Sequence, residues 1–157
     1  MDHLDNLDRQ ILELLQQDAH FTNKEIAARL GLTTTPVYER IKRLETDGFI
    51  KQYVALLDKN KIGKTLTAFC NVSLRHHTKE NVEKFEDEIK HFAEVQECYH
   101  IAGVFDFLVK VSVGNMNDYH DFIKNKLSTI ENIGTLNSSF VLTEIKYNLA
   151  YEIKAVE

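Results

Sequence analysis

Apolar residues recur at helical spacing three times in the first fifty positions, and then the period changes. Leu4, Leu7, Ile11, Leu14 and Leu15 form the first stripe, the i, i+3, i+4 pattern of an amphipathic helix. Asp5, with Asp8 three residues on, can cap that helix and suits its positive end. The spacing predicts a helix over 5–17, with Arg9, Gln10, Glu13 and Gln16 on a solvated face. Thr22 to Glu25 has the form of a capping box, in which each side chain bonds the other residue's backbone N–H. Ile26, Ala27 and Leu30 then make a short buried stripe, and Gly31 supplies the left-handed residue that ends helices. Val37, Ile41 and Leu44, at i, i+4 and i+7, predict a third helix. It is entered through Thr33, Thr34, Thr35 and Pro36, a proline being tolerated in a first turn, and closed by Gly48. From Phe49 to Leu57 the chain reads as extended.

After the polar stretch 58–64, which holds Gly63, alternation takes over. Leu66, Ala68, Cys70, Val72 and Leu74 interleave with Thr67, Asn71 and Ser73, which predicts a strand. Thr78 opens a helix that turns Val82, Phe85, Ile89 and Phe92 inward; residues 95–101 are extended; Gly103 breaks them. Phe105, Phe107, Val109, Val111 and Val113 alternate as another strand. Asn115 or Asn117 then opens a helix with Met116, Tyr119, Phe122, Ile123, Leu127 and Ile130 inward, and 139–149 is the last strand. The order β-α-β-β-α-β predicts a ferredoxin-like four-stranded antiparallel sheet with both helices on one face. The other face carries Phe69 and Leu108, with Phe140 or Leu142, and such a face usually meets another sheet or subunit. The fold class is α+β: a helix-turn-helix domain over 1–50, an extended linker strand and loop over 51–64, and a βαββαβ domain over 65–157.

Composition narrows the classes. The 157 residues are 43% hydrophobic and 27% charged, with one Pro and six Gly, ordinary for a globular protein. No apolar run approaches the roughly 18 residues that span a bilayer, and the acidic start MDHLDNLDRQ is no secretory signal. Cys70 and Cys98 read as buried free thiols in a reducing compartment. The net charge of −5 argues against a broadly basic coat, so any binding to DNA has to use a local patch and several copies at once.

That patch is on the third helix. Tyr38, Glu39, Lys42 and Arg43 point away from the core, with Arg40 at the boundary and Lys24 and Arg29 nearby. In a helix-turn-helix the second helix enters the major groove, so Thr34, Thr35, Tyr38, Glu39 and Lys42 are candidates for base edges and phosphates. The bland alternative is a three-helix packing unit with a solvated basic face. A second stretch, Cys98 to Asp106, has a glycine between strands that lets a ligand approach the backbone, and an aspartate able to hold an ammonium group. By residues alone, a plain hairpin with a solvated aspartate is the simpler reading. Cys98 with His100, and His76 with His77, have no metal-ligand spacing. No phosphate loop or nucleophile motif is present, so an enzyme is not expected, and no cofactor.

With those residues in view, LDxxDxxIL (Leu4, Asp5, Asp8, Ile11, Leu12) followed by IAARLGLTTTPVYERIKRLETDGFI resembles the DNA-binding domain of the Lrp/AsnC (feast/famine) transcriptional regulators. The run YHIAGVFDFLVKV resembles that family's Gly-x-x-Asp segment. The resemblance implies a winged or strand-extended helix-turn-helix, a RAM-type βαββαβ regulatory domain, and a dimer often built into an octamer. It further implies double-stranded DNA as partner, a small amino acid as effector, control of amino-acid metabolism genes, and a cytoplasmic, nucleoid-associated place in a bacterial or archaeal cell. Matched by position, Thr33, Thr34, Thr35, Tyr38, Glu39, Arg40, Lys42 and Arg43 fall on the recognition segment. His100, Ile101, Ala102, Gly103 and Asp106 fall on the effector loop, and Ser138 and Ser139 where a neighbouring subunit completes the pocket. The chain departs from the pattern in its threonine-rich cap, in Ala102 where a threonine is frequent, and in the tail NLAYEIKAVE, which lacks a proline. The rival expectation is a stand-alone small-molecule-binding oligomer whose helical head contacts protein rather than DNA.

Overall fold

The computed structural model describes residues 4–154; the first three residues of the acidic start and the last three of the tail lie outside them. The chain divides into two compact units. One contains residues 4–55 with 146–154; the other is Leu56–Ile145.

The first unit has three helices: α1 (Asn6–Gln17), α2 (Asn23–Leu30) and α3 (Thr34–Thr46). Both expected capping boxes form. The Asp5 side chain accepts the Asp8 N–H while Asp8 accepts the Asp5 N–H, and Thr22 and Glu25 do the same for α2. Gly31 ends α2 at φ 66°, a conformation that costs a residue with a Cβ about 1 kcal/mol or more. Ile11, Ile26, Val37 and Leu44 have no exposed surface and form the core with Leu12, Ala27 and Ile41. The segment expected as the end of the sheet domain also belongs here: Ile153 packs on this core, and the Gln16 side chain bonds the Tyr151 backbone at both its N–H and its C=O. Residues 51–57, expected as an extended linker strand, pair with no strand among the described residues.

The second unit runs β1 (Leu66–Leu74), α4 (Lys79–Ile89), β2 (Val95–His100), β3 (Phe107–Val113), α5 (Met116–Asn125) and β4 (Ile133–Phe140), with a 3-10 turn at Leu127–Thr129. The sheet order is β2-β3-β1-β4, every pairing antiparallel, the ferredoxin-like arrangement. Ala68, Cys70, Val72, Phe85, Ile89, Phe107, Val109, Val111, Phe122 and Leu127 fill the space between sheet and helices.

Three expectations need correction. The last strand is 133–140, not 139–149. IGTLNSSF hides its alternation behind a glycine and polar residues, because it is an edge strand whose outer face is polar. It is fixed by its ladder to β1, where Cys70 faces Ser138 and Val72 faces Leu136. The stretch 141–149 alternates better, yet it joins no strand among the described residues: the Val141 N–H donates to Thr67 O, Glu144 meets Lys59 at 2.7 Å, and Leu142 and Ile145 are 96% and 88% exposed. Phe140 lies opposite Ala68 and so on the helix-covered face, where its ring meets Tyr119 edge-on. Met116 opens α5 but is exposed, because Asn115 caps the helix and turns its first residue outward.

Candidate nucleic-acid interface and effector loop

The Val37, Ile41 and Leu44 stripe fixes which side of α3 faces the core. The opposite side then presents Thr34, Thr35, Tyr38, Glu39 and Lys42 to solvent, with Tyr38 49% exposed. Thr33 is the N-cap, but its hydroxyl makes no capping bond, and no acidic residue stands in the first turn. The N–H groups and dipole at that end therefore remain available to an anion. Lys42 pairs with Glu45 at 2.8 Å and lies 6.0 Å from the centre of the Tyr38 ring. The Glu45 carboxylate raises the Lys42 pKa, and Lys42 in turn lowers that of Glu45. An exposed i, i+3 pair is worth about 0–1 kcal/mol, so a phosphate can take Glu45's place.

Arg40 and Arg43 are placed differently from the sequence expectation. Arg40 Nη1 donates to Asp5 Oδ2 and, at 2.8 Å, to Asp8 Oδ1; Arg43 Nη2 donates to Asp8 Oδ2. Both guanidinium groups thus turn toward α1. Sequence reading missed Asp8 as their partner. The signal was present: Asp8 shares a helical face with Leu4, Ile11 and Leu15, and a carboxylate on an apolar stripe needs a cation.

In the sheet unit the loop 101–106 joins β2 to β3. Gly103 adopts φ 150°, which side chains with a Cβ rarely adopt, and nothing stands within 4 Å of where a Cβ would be. The constraint is the backbone and not space, and the loop is open to approach. Asp106 is the strut. Its Oδ2 accepts the Leu74 N–H at 2.7 Å and its Oδ1 lies 3.1 Å from His77 Nδ1. Its own N–H donates to Val72 O, and its carbonyl accepts from Ile101 N–H. Ala102 is exposed and Ile101 half-buried. His100 does not turn to the open face: it lies opposite Phe107 on the helix-covered side, stacked on that ring at 4.8 Å and 3.6 Å from Glu86.

Ser138 and Ser139 cannot serve one pocket together, since adjacent strand residues face opposite sides. Ser138 lies over the helices and accepts a hydrogen bond from the Tyr119 hydroxyl, which is itself 3.0 Å from Cys70 Sγ. Burial pushes the Tyr119 pKa far above its ordinary value. Ser139 faces out opposite Phe69. β2 and β4 are the two edges of the sheet, so within one chain the serines stand three strand spacings, about 14 Å, from the strand that carries His100. Cys98 is half-buried, and burial raises its thiol to about 11, which makes it a poor nucleophile. Among the described residues no three His, Cys, Asp or Glu side chains converge as metal ligands, and no helix is long and apolar enough to cross a membrane.

Comparison with known proteins finds relatives of both units. Residues 4–51 match the family described as winged helix-turn-helix DNA-binding, and residues 67–151 match the Lrp/AsnC ligand binding domain. The chain is 38% identical over 151 residues to the DNA-binding transcriptional activator DecR of Escherichia coli K12, covering 96% of this chain and 99% of that one. It is 34% identical to the leucine-responsive regulatory protein of the same organism, covering 96% and 92%. Among solved structures it superposes with a TM-score of 0.91 on the transcriptional regulator NMB0573 of Neisseria meningitidis in complex with L-Met, at 34% identity, covering 95% of this chain and 96% of that one.

Proposed function

The chain belongs to the Lrp/AsnC family of DNA-binding transcriptional regulators, and from that premise we propose that it reads duplex DNA with α3, as a homo-oligomer, under the control of a small amino acid. The observation that carries the DNA reading is the exposed row Thr34, Thr35, Tyr38 and Lys42. It runs back to back with a stripe that is at most 8% exposed. The row enters the major groove with Thr33 at its phosphate-facing end. Lys42 is the phosphate contact. Lys42→Gln is therefore expected to weaken binding to all sequences alike and to reduce the slope of log affinity against log salt by about 0.9 per bound protomer. A mobility-shift series on the DNA upstream of the chain's own gene measures this. An unchanged slope removes Lys42 from the interface. No retention at low salt by the unaltered protein leaves the helical head as a protein-contact module.

Self-association is supported by apolar surface that one chain leaves uncovered: Val54, Leu56 and Leu57 in the linker, and Leu142 and Ile145 beyond β4. Exposed rows of this kind are covered by partners, here a second copy and, by repetition, an octamer. Leu142→Asp with Ile145→Asp is expected to shift the protein to monomers in sedimentation. An oligomer of unchanged mass would place the interface elsewhere. Several reading heads on one DNA also answer the net charge of −5. The effector sits at the loop 101–106, with Ser139 brought by a neighbouring copy. The bound L-Met of the Neisseria relative makes methionine the first ligand to titrate, in a calorimetric panel of amino acids. Control of amino-acid metabolism genes, within the cytoplasm and at the nucleoid, is the setting this reading implies.

A further inference from the structure

Asp8 has no exposed surface. A carboxylate so placed has to be paired, because an unpartnered charge out of water is costly by several kcal/mol. Its partners come from three directions. Oδ2 accepts the Asp5 N–H at 3.1 Å and Arg43 Nη2; Oδ1 accepts Arg40 Nη1 at 2.8 Å. The same Arg40 nitrogen reaches Asp5 Oδ2, and the Arg40 side chain is only 26% exposed. Burial tends to raise the Asp5 pKa, but the Asp8 N–H and the Arg40 guanidinium outweigh it and hold it below the usual value.

We infer that Asp8 is a positioning residue for DNA binding, setting the roll and tilt of α3 through Arg40 and Arg43, and that Arg40 neutralises protein carboxylates rather than a DNA phosphate. The inference rests on the DNA reading given above. Val37, Ile41 and Leu44 decide which face of α3 is buried, but apolar contacts are non-directional. Ridges packed into grooves leave about 15–20° of scatter in helix crossing. Two charge-assisted bonds, one turn apart on α3 and converging on one carboxylate, are directional and remove that freedom. Base edges are read by hydrogen bonds that tolerate little displacement. A loosened α3 therefore loses discrimination between sequences before it loses attraction to phosphate.

The test uses the full chain and two probes: a duplex that the unaltered protein selects from a randomised pool, and a mixed-sequence duplex of equal length. Affinities are followed by fluorescence anisotropy over a salt series, at a temperature where circular dichroism shows each variant folded. Asp8→Asn and Arg40→Gln are each expected to lower the selected-to-mixed affinity ratio by about tenfold, the discrimination carried by one base pair. Both keep the salt slope of the unaltered protein. The double variant is expected to lose no more than either single one, since both act through one contact. If Arg40→Gln lowers the slope by about 0.9 per protomer, or the two losses add, Arg40 meets DNA directly and the inference is overturned. If Asp8→Asn only melts earlier and keeps its ratio, Asp8 is structural alone and the inference is overturned. Should Asp8→Asn not fold, Asp8→Glu and Arg40→Lys, which keep both charges and alter the geometry, are expected to show the same lowered ratio at unchanged slope; an unchanged ratio in both overturns the inference. An unaltered protein that binds neither duplex at low salt brings down the DNA reading itself, and this inference with it.

Discussion

Phe107→Ala is expected to lower the stability of the sheet unit by about 3–5 kcal/mol, the range for emptying a buried phenylalanine site. Phe107 is the first residue of β3 and has no exposed surface. Its ring lies 4.3 Å from that of Phe85 on α4 and 4.8 Å from that of His100 on β2. It thereby ties one helix and the edge strand to the ladder with Val72. Neither neighbour can close the gap, because each is held by its own element. Chemical denaturation read by far-UV circular dichroism gives the number. A loss below about 1 kcal/mol would mean that the site collapses freely, contrary to how interiors with fixed neighbours behave. The consequence reaches the proposed effector site because β3 starts at the residue after Asp106, so a frayed β3 start releases the loop 101–106 at one end.

Local chemistry made most of this fold legible in the sequence. Thr22 with Glu25, and Asp5 with Asp8, are capping signals that act within one turn, and both formed as read. The alternation of β1 and β3 is strong because both strands are central and bury one face. What failed to show was set by distance. Ile133–Phe140 is a strand because β1 offers it an edge, and nothing in its own residues announces that. The alternation after it is real, but alternation predicts a buried face only where something covers it. The candidate sites follow the same division. The exposed row of α3 follows from the helical period. The fate of Arg40 and Arg43 does not, since it depends on an aspartate more than thirty residues away. Ser138 obeys the same rule: the side of β4 it occupies depends on register, and register brings its hydroxyl to Tyr119. Net charge misleads in a similar way. With Arg40 and Arg43 paired internally, the positive field of α3 is weaker than its residues suggest, which strengthens the case for several copies acting on one DNA.

Asp106→Ala is expected to have the largest effect on ligand control. The substitution leaves the Leu74 N–H without its acceptor, and Leu74 is only 4% exposed; an orphaned buried donor costs about 1–3 kcal/mol. It also removes the carboxylate that holds His77. The Ile101 N–H on Asp106 O then becomes the bond most easily opened, and hydrogen exchange should quicken at Leu74 and Ile101 before it does elsewhere in the unit. For an amino acid bound at this loop, affinity is expected to fall by about tenfold or more, the equivalent of losing one charge-assisted bond. Asp106→Asn separates the two roles of the side chain. It keeps a carbonyl oxygen for the Leu74 N–H and loses the charge. Affinity retained in Asn and lost in Ala identifies a strut that shapes the loop. Affinity lost in both identifies a counter-ion for the ligand's ammonium group. If both variants bind methionine and the rest of the amino-acid panel as tightly as the unaltered protein does, the effector is not held at this loop.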